Sequence, residues 1–219
     1  MAIDHFAVIF FNNSFLYGDI IINANYEKIY YILRAIGRIS FPLFAFLLIE
    51  GIKHTRNIMN YGFRIFIFAI ISEIPYDWGV FGKIVNIQHQ NIFFELFLGL
   101  VLVSMFRLCE NRICLMGNLV VKIVLSMMFM YASEYFRIDY GYVGILVIII
   151  FYLIDNKNLS IVVVCLLLTD MVKDELFAWL SVFPIAMYDN TRGYYKKYTF
   201  YMAYPIHLVV FRIVQIILK

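Results

Sequence analysis

Long apolar stretches alternate with short polar ones along the whole chain. The apolar stretches are continuous and do not alternate residue by residue, as the strands of an outer-membrane barrel do. This pattern predicts an all-α chain, with short turns rich in Asn, Asp, Lys and Arg between the helices. The nine predicted helical segments run approximately over residues 1–17, 31–53, 59–78, 91–107, 113–134, 141–154, 159–171, 175–188 and 198–218.

The composition places these helices in a membrane. Of the 219 residues, 63% are hydrophobic and only 15% are charged, whereas a soluble domain is roughly 45–50% apolar and roughly 25% charged. We therefore predict one transmembrane domain over residues 1–219, a polytopic helical bundle of about nine transmembrane helices. A spanning helix needs about 20 apolar residues. Since the first segment is shorter, we expect the first helix to be N-terminally truncated.

Loop charges predict the orientation of the chain. The loops after the second, fourth, sixth and eighth segments carry eight Lys and Arg residues, and the other loops carry four. The positive-inside rule then places the N-terminus in the cytoplasm and the C-terminus outside. The apolar composition makes the lipid bilayer the expected partner. The net charge of +3 is uninformative about nucleic acid, but no basic tract exists, and we expect no nucleic acid as a partner. The oligomeric state stays open.

Two cations and two carboxylates lie inside the second and third segments. Arg34 and Arg38 are one helical turn apart, as are Glu73 and Asp77. If these segments form a symmetric hairpin about residues 54–57, Arg38 is level with Glu73 and Arg34 is level with Asp77. Pairing would offset the cost of burying the charges. These four charged residues either hold the two segments together structurally or form a charged pocket for a substrate.

Glu50 and His54 are one turn apart at the cytoplasmic end of the second segment. A carboxylate there would orient the imidazole, or the two form a plain interfacial pair. Lys53 and Arg56 lie beside them and could hold a phosphate, although positive-inside charge explains them equally well.

Asp4 and His5 lie in the first segment, near mid-membrane, where polar side chains are costly. His5 is a candidate functional residue, and hydrogen bonding between helices is the alternative. His207 follows the helix-kinking Pro205, which suits either a pocket or ordinary packing. The histidines and acids lack the spacing of a metal site, so we expect no metal.

Several sequence blocks together resemble the signature of the TraX family. They are Asp4-His5 and residues 34–46, 50–57, 72–77, 140–144 and 204–207. The resemblance implies a multi-pass protein of the bacterial cytoplasmic (inner) membrane, associated with conjugation. It also implies an acyltransferase that takes an acetyl group from cytoplasmic acetyl-CoA. The acceptor would be an amine or hydroxyl on a peptide N-terminus, a sugar or another small molecule; in the founding case it is the N-terminus of pilin.

The resemblance suggests a role for each candidate residue. His5 with Asp4 would be the general base or would carry the acetyl group, and His54 with Glu50 is the second candidate pair. The residues expected near acetyl-CoA are Lys53, Arg56, Asn57 and Arg192. Those expected on the acceptor side are Arg34, Arg38, Glu73, Asp77 and His207.

Two other functions remain open. Charges at several depths could line the path of a small transporter or channel, although no inverted repeat is visible. The chain could also be a non-enzymatic partner of a secretion or conjugation apparatus, in which case its buried charges would serve folding alone.

Overall fold

The computed structural model describes residues 1–11, 24–110, 114–171, 175–191 and 197–218. These residues are almost wholly helical, and their helices follow the predicted segments in order. The all-α membrane fold is thereby confirmed. The only β-type pairing within the described ranges is an isolated parallel bridge between Gln90 and Ile138.

The helices of the described residues are numbered here in chain order. They are α1 Ala2–Phe11, α2 Ala24–Gly37, α3 Ser40–His54, α4 Ile58–Tyr76, α5 Ile92–Glu110, α6 Leu115–Tyr135, α7 Gly141–Leu153, α8 Lys157–Met171, α9 Val182–Ala186 and α10 Lys197–Ile217. A π-helical turn, Asp77–Phe81, continues α4, and a 3-10 helix, Glu175–Ser181, leads into α9.

Fewer helices reach membrane-spanning length than the nine predicted. By length and composition, four helical segments of the described residues can cross a membrane, and the remaining helices are shorter or less apolar. The four are Glu27–His54, Ile58–Phe81, Ile92–Glu110 and Leu115–Tyr135. The first of them covers most of α2 and all of α3. These two helices are numbered separately because a turn at Arg38 and Ile39 interrupts the predicted second segment.

The core of the bundle is built around α7, most of whose residues are buried. This helix packs against α3, α5, α6 and α8. Helix α5 lies against both α3 and α4, so these two helices touch beside their turn, where Gly51 meets Tyr61, and do not pack along their length. The symmetric hairpin assumed from the sequence is therefore wrong.

Helix α1 is held at the edge of the bundle by α2, α10 and the π-helical turn. Its crossing with α2 is close because Gly37 has no side chain. A Cβ atom at position 37 would overlap the side chain of Asp4 and lie 2.9 Å from its Cα atom. Gly37 thus allows the two backbones to approach at the level where α1 carries its polar residues.

We predict that Gly37→Ala displaces α1 and lowers the free energy of unfolding by about 1–3 kcal/mol, as overpacking typically does. The measurement is the melting temperature of the purified protein in detergent. The matched control is Gly117→Ala on the exposed helix α6, where alanine improves helix propensity and no loss is expected. An unchanged melting temperature in Gly37→Ala would contradict the close crossing.

Candidate active site

A cavity of about 270 Å³ opens between α1, α2, α3, the end of α4 and the turn before α7. Its walls combine aromatic rings with titratable groups. The polar side chains that line it are Asp4, His5, Tyr30, Arg34, Arg38, Ser40, Tyr76, Asp139, Tyr140 and Tyr204. Four of the predicted site residues therefore share one cavity: Asp4, His5, Arg34 and Arg38.

His5 and His207 form a hydrogen-bonded pair between α1 and α10. The His5 Nδ1 atom is 2.7 Å from the His207 Nε2 atom. Their rings are nearly parallel, with centroids 5.0 Å apart. His5 is buried, and the edge of Tyr204 packs against its ring at 5.4 Å. The structure thus joins two histidines that the sequence suggested only separately.

The hydrogen bonds of this pair define which nitrogens carry protons. The His207 Nδ1 atom is 2.6 Å from the carbonyl oxygen of Ala203. Since a carbonyl only accepts, Nδ1 of His207 must be the donor, and Nε2 of a neutral His207 is then an acceptor. His5 therefore donates through Nδ1, which leaves its Nε2 atom with a free lone pair. His5 itself is one of the residues that line the cavity.

Asp4 forms an ion pair with Arg34. The Arg34 Nη1 atom donates to the Asp4 Oδ2 atom at 2.6 Å. The other carboxylate oxygen, Oδ1, is buried and has no hydrogen-bond partner among the described residues. Asp4 lines the cavity, and its Oδ1 atom packs against α2, 2.8 Å from where a Cβ atom at Gly37 would lie.

Tyr140 connects the cavity to a second, more open groove. Arg38 donates to the Tyr140 hydroxyl at 3.4 Å, and the Tyr140 ring stacks on Phe41 with centroids 3.7 Å apart. The groove is also bounded by Gln88, His89, Glu134 and Arg137. Asp139 and Tyr140 line both spaces, so the turn before α7 forms a wall that the cavity and the groove share.

The predicted pairs Arg34–Asp77 and Arg38–Glu73 are wrong. Arg34 is paired with Asp4, and Glu73 and Asp77 do not line the cavity. Asp77 accepts a hydrogen bond from the backbone N–H of Asn86 at 2.6 Å. The physical reason is the packing of α1 against α2, which brings Asp4 to Arg34.

Glu73 has a structural partner in Asn91. The Asn91 side-chain amide donates to Glu73 Oε2 and, at 2.8 Å, to the carbonyl oxygen of Ala69. Glu73 and Asp77 together hold the loop of residues 82–91 against the end of α4. They act as anchors for that loop, at some remove from the substrate pocket predicted for them.

The second predicted cluster lies at the opposite end of α3. Glu50 is buried, and its carboxylate is 3.5 Å from His54 Nε2 and 2.9 Å from Lys53 Nζ. The predicted contact between Glu50 and His54 is thus present. The His54 side chain is 61% exposed, however, so this pair lies at a surface and does not face the cavity around His5.

The remaining residues predicted near acetyl-CoA have different surroundings. Arg56 is exposed beside Lys53. The side chain of Asn57 caps α4 by accepting a hydrogen bond from the backbone of Asn60 at 3.0 Å. Arg192 lies outside the described residues. A cavity of about 300 Å³ contains Glu50, Lys53 and Lys157.

Sequence reasoning missed the contributions of Asp139, Tyr140 and Tyr204 to the cavity. Asp139 occurs in a predicted loop, and the two tyrosines occur within blocks that resemble the family signature. The presence of Tyr140 and Tyr204 within those blocks was the available signal. Nothing local in the sequence indicates that residues 139 and 140 meet residues 4 and 5.

The fold and the cavity together define an integral membrane protein with a titratable site inside its helical bundle. Comparison with known families makes this specific: the TraX protein family matches residues 1–215, and the chain belongs to that family. It is also 27% identical over 240 residues to the probable fimbrial assembly protein FimC, serogroup H1, of Dichelobacter nodosus, covering 96% of this chain and 88% of that protein. No solved structure matches the chain.

We predict that Asp4→Asn and Arg34→Gln each lower the free energy of unfolding by about 2 kcal/mol. This is less than the 3–5 kcal/mol of a fully buried pair, because both side chains retain some exposure. The double variant should lose less than the sum of the two, since neither charge is then left unpaired. Melting temperatures in detergent provide the measurement.

The control for the ion pair is Glu27→Gln at the exposed start of α2, which should leave stability unchanged. Strictly additive losses in the double variant would show that Asp4 and Arg34 do not interact.

Proposed function

We propose that this protein is a membrane acyltransferase that moves an acetyl group from acetyl-CoA to an amine or hydroxyl. The observation that carries the proposal is the cavity lined by both His5 and Asp4, in which a hydrogen bond from His207 orients His5. Membership of the TraX family supports acetyl transfer as the reaction.

The acceptor binds through its own hydrogen. Its N–H or O–H donates to Nε2 of His5, one of the residues that line the cavity. His5 Nε2 takes the proton as the acceptor's nitrogen or oxygen attacks the acetyl carbonyl carbon. The bond between that carbon and sulfur breaks, sulfur leaves with the electron pair, and the proton passes from His5 to sulfur. Atoms and charge therefore balance.

His207 acts by positioning His5. Its hydrogen bond to the Ala203 carbonyl fixes the tautomer, which keeps Nδ1 of His5 as the donor and Nε2 as the base. When His5 gains a proton, the imidazolium remains hydrogen-bonded to a neutral acceptor. This is the role that a fixed hydrogen-bond partner has in other histidine-dependent acyl transfers.

Acetyl-CoA is the co-substrate that the proposal requires. The cations Lys53 and Arg56 at the predicted cytoplasmic end of α3 and Lys157 at the start of α8 suit its phosphates, although Lys53 is already paired with Glu50 and Lys157 donates to the carbonyl oxygen of Tyr188. Helix α3 contributes Phe41 and Phe44 to the cavity around His5 and Phe46 and Ile49 to the cavity around Lys53. The 15 residues of α3 span about 22 Å at 1.5 Å per residue, and the two cavities lie towards opposite ends of that length.

We predict that His5→Ala lowers the rate of acetyl transfer by about 10²–10⁴, the usual contribution of a general base. His207→Asn should cause a smaller loss, because it removes the orientation of the base and leaves the base itself. His54→Ala should retain most of the activity. The measurement is transfer of labelled acetyl from acetyl-CoA to amine and hydroxyl acceptors by purified, folded protein in lipid nanodiscs.

The reverse pattern, with His54→Ala inactive and His5→Ala active, would show that the general base is His54, at the other end of α3. Full activity in both variants would rule out a histidine base.

The name of the FimC relative favours a second candidate function, in which the protein takes part in pilus assembly without catalysis. The two are distinguished in cells that lack the protein. If His5→Ala protein restores pili as well as the wild type does, while its acetyl transfer is lost, assembly is the function. If only the active protein restores pili, the acceptor belongs to the pilus pathway.

A further inference from the structure

Helix α6 stands on the outside of the bundle, and a groove of about 340 Å³ lies between it, α5 and α7. The groove is lined mainly by apolar side chains such as Phe106, Leu119, Ile123, Met130 and Ile149. Its volume is within the range of small-molecule sites. It is separate from the cavity around His5, with which it shares no lining residue.

A polar cluster lies beside the groove and reaches it through Lys122, which is one of the lining residues. The Lys122 Nζ atom is 2.5 Å from Glu110 Oε1. The Tyr152 hydroxyl donates to the same carboxylate at 3.0 Å. The ammonium also lies 5.6 Å from the ring centroid of Phe106. This is an unusual place for a lysine, because Lys122 is about 10 Å into a spanning helix at 1.5 Å per residue; a charge at such depth commonly marks a site.

Asn118 adds an unmet hydrogen-bonding requirement. Its Oδ1 atom is buried and has no hydrogen-bond partner among the described residues, and its side chain lines the groove one turn from Lys122. Leaving a buried amide oxygen unpaired costs roughly 1–3 kcal/mol. A ligand in the groove that carries a hydrogen-bond donor would remove this cost.

We propose that this groove binds a phospholipid whose head group carries a primary ammonium, such as phosphatidylethanolamine. One acyl chain lies along the apolar part of the groove. The phosphate lies near Lys122, and the ammonium donates to Asn118 Oδ1 and to Glu110.

The charges of the site favour this head group over others. Lys122 and Glu110, which pair with each other, carry one positive and one negative charge, and these match a phosphate and an ammonium on the same molecule. Glu110 is the more exposed partner, with 38% of its side chain accessible against 18% for Lys122, so it can turn towards an ammonium. A choline head group has no N–H to donate to Asn118, and a glycerol head group has no cation for Glu110.

The test is lipid retention by the full chain. Protein in nanodiscs of equal parts phosphatidylethanolamine, phosphatidylcholine and phosphatidylglycerol is transferred to mild detergent, and native mass spectrometry counts the retained lipids. We expect a single phosphatidylethanolamine per chain, enriched over phosphatidylcholine by about tenfold. This is the affinity ratio that one charge-assisted hydrogen bond provides.

Two variants probe the groove by different means. Ser126→Phe fills the groove and should abolish retention. Asn118→Leu leaves the groove and the ion pair in place and should remove the preference for ethanolamine over choline. The matched control is Met128→Phe, an exposed position on α6 that does not line the groove, which should retain lipid like the wild type. Melting temperatures establish that each variant is folded.

Equal retention of ethanolamine and choline lipids by the wild type would overturn the proposal, as would preferential retention of phosphatidylglycerol. Unchanged retention in folded Ser126→Phe protein would place the bound lipid elsewhere. Because acetyl transfer is not the readout, the result is independent of the proposed catalytic function.

Discussion

A polar group inside a hydrocarbon layer must find its partner within the protein, and this requirement determines which helices meet. Helix α1 is the clearest case, since its two polar residues contact two different helices: Asp4 meets Arg34 on α2 and His5 meets His207 on α10. The same requirement joins other elements. Further examples are Glu73 with Asn91, Asp77 with the backbone of Asn86, and Glu95 with Ser133.

The order of helices could be predicted from the sequence because the apolar runs are long and their boundaries carry turn residues. The break between α2 and α3 could not, since residues 31–53 form one apolar run whose charges are spaced as on a continuous helix. Neither could the packing order. Contacts between α3 and α4 were inferred from their short connection, whereas α5 lies against both helices.

The same limits explain the site. Asp4, His5, Arg34 and Arg38 could be singled out because each is a costly residue within an apolar stretch. Their partners could not, because pairing depends on which helices pack together. His5 and His207 are 202 residues apart in the chain, and only the tertiary fold brings α10 beside α1. The error at Glu73 and Asp77 has the same origin, since their partners belong to a loop whose course the sequence does not reveal.

The close contact at Gly37 also explains why the acid at position 4 is aspartate. The Asp4 side chain begins against the backbone of α2, so its short carboxylate is held rigidly by the position of α1. Arg34 reaches it through a long, flexible side chain. Within this ion pair the backbone contact between α1 and α2 therefore sets the place of the carboxylate, and the longer Arg34 side chain supplies the reach that closes the contact.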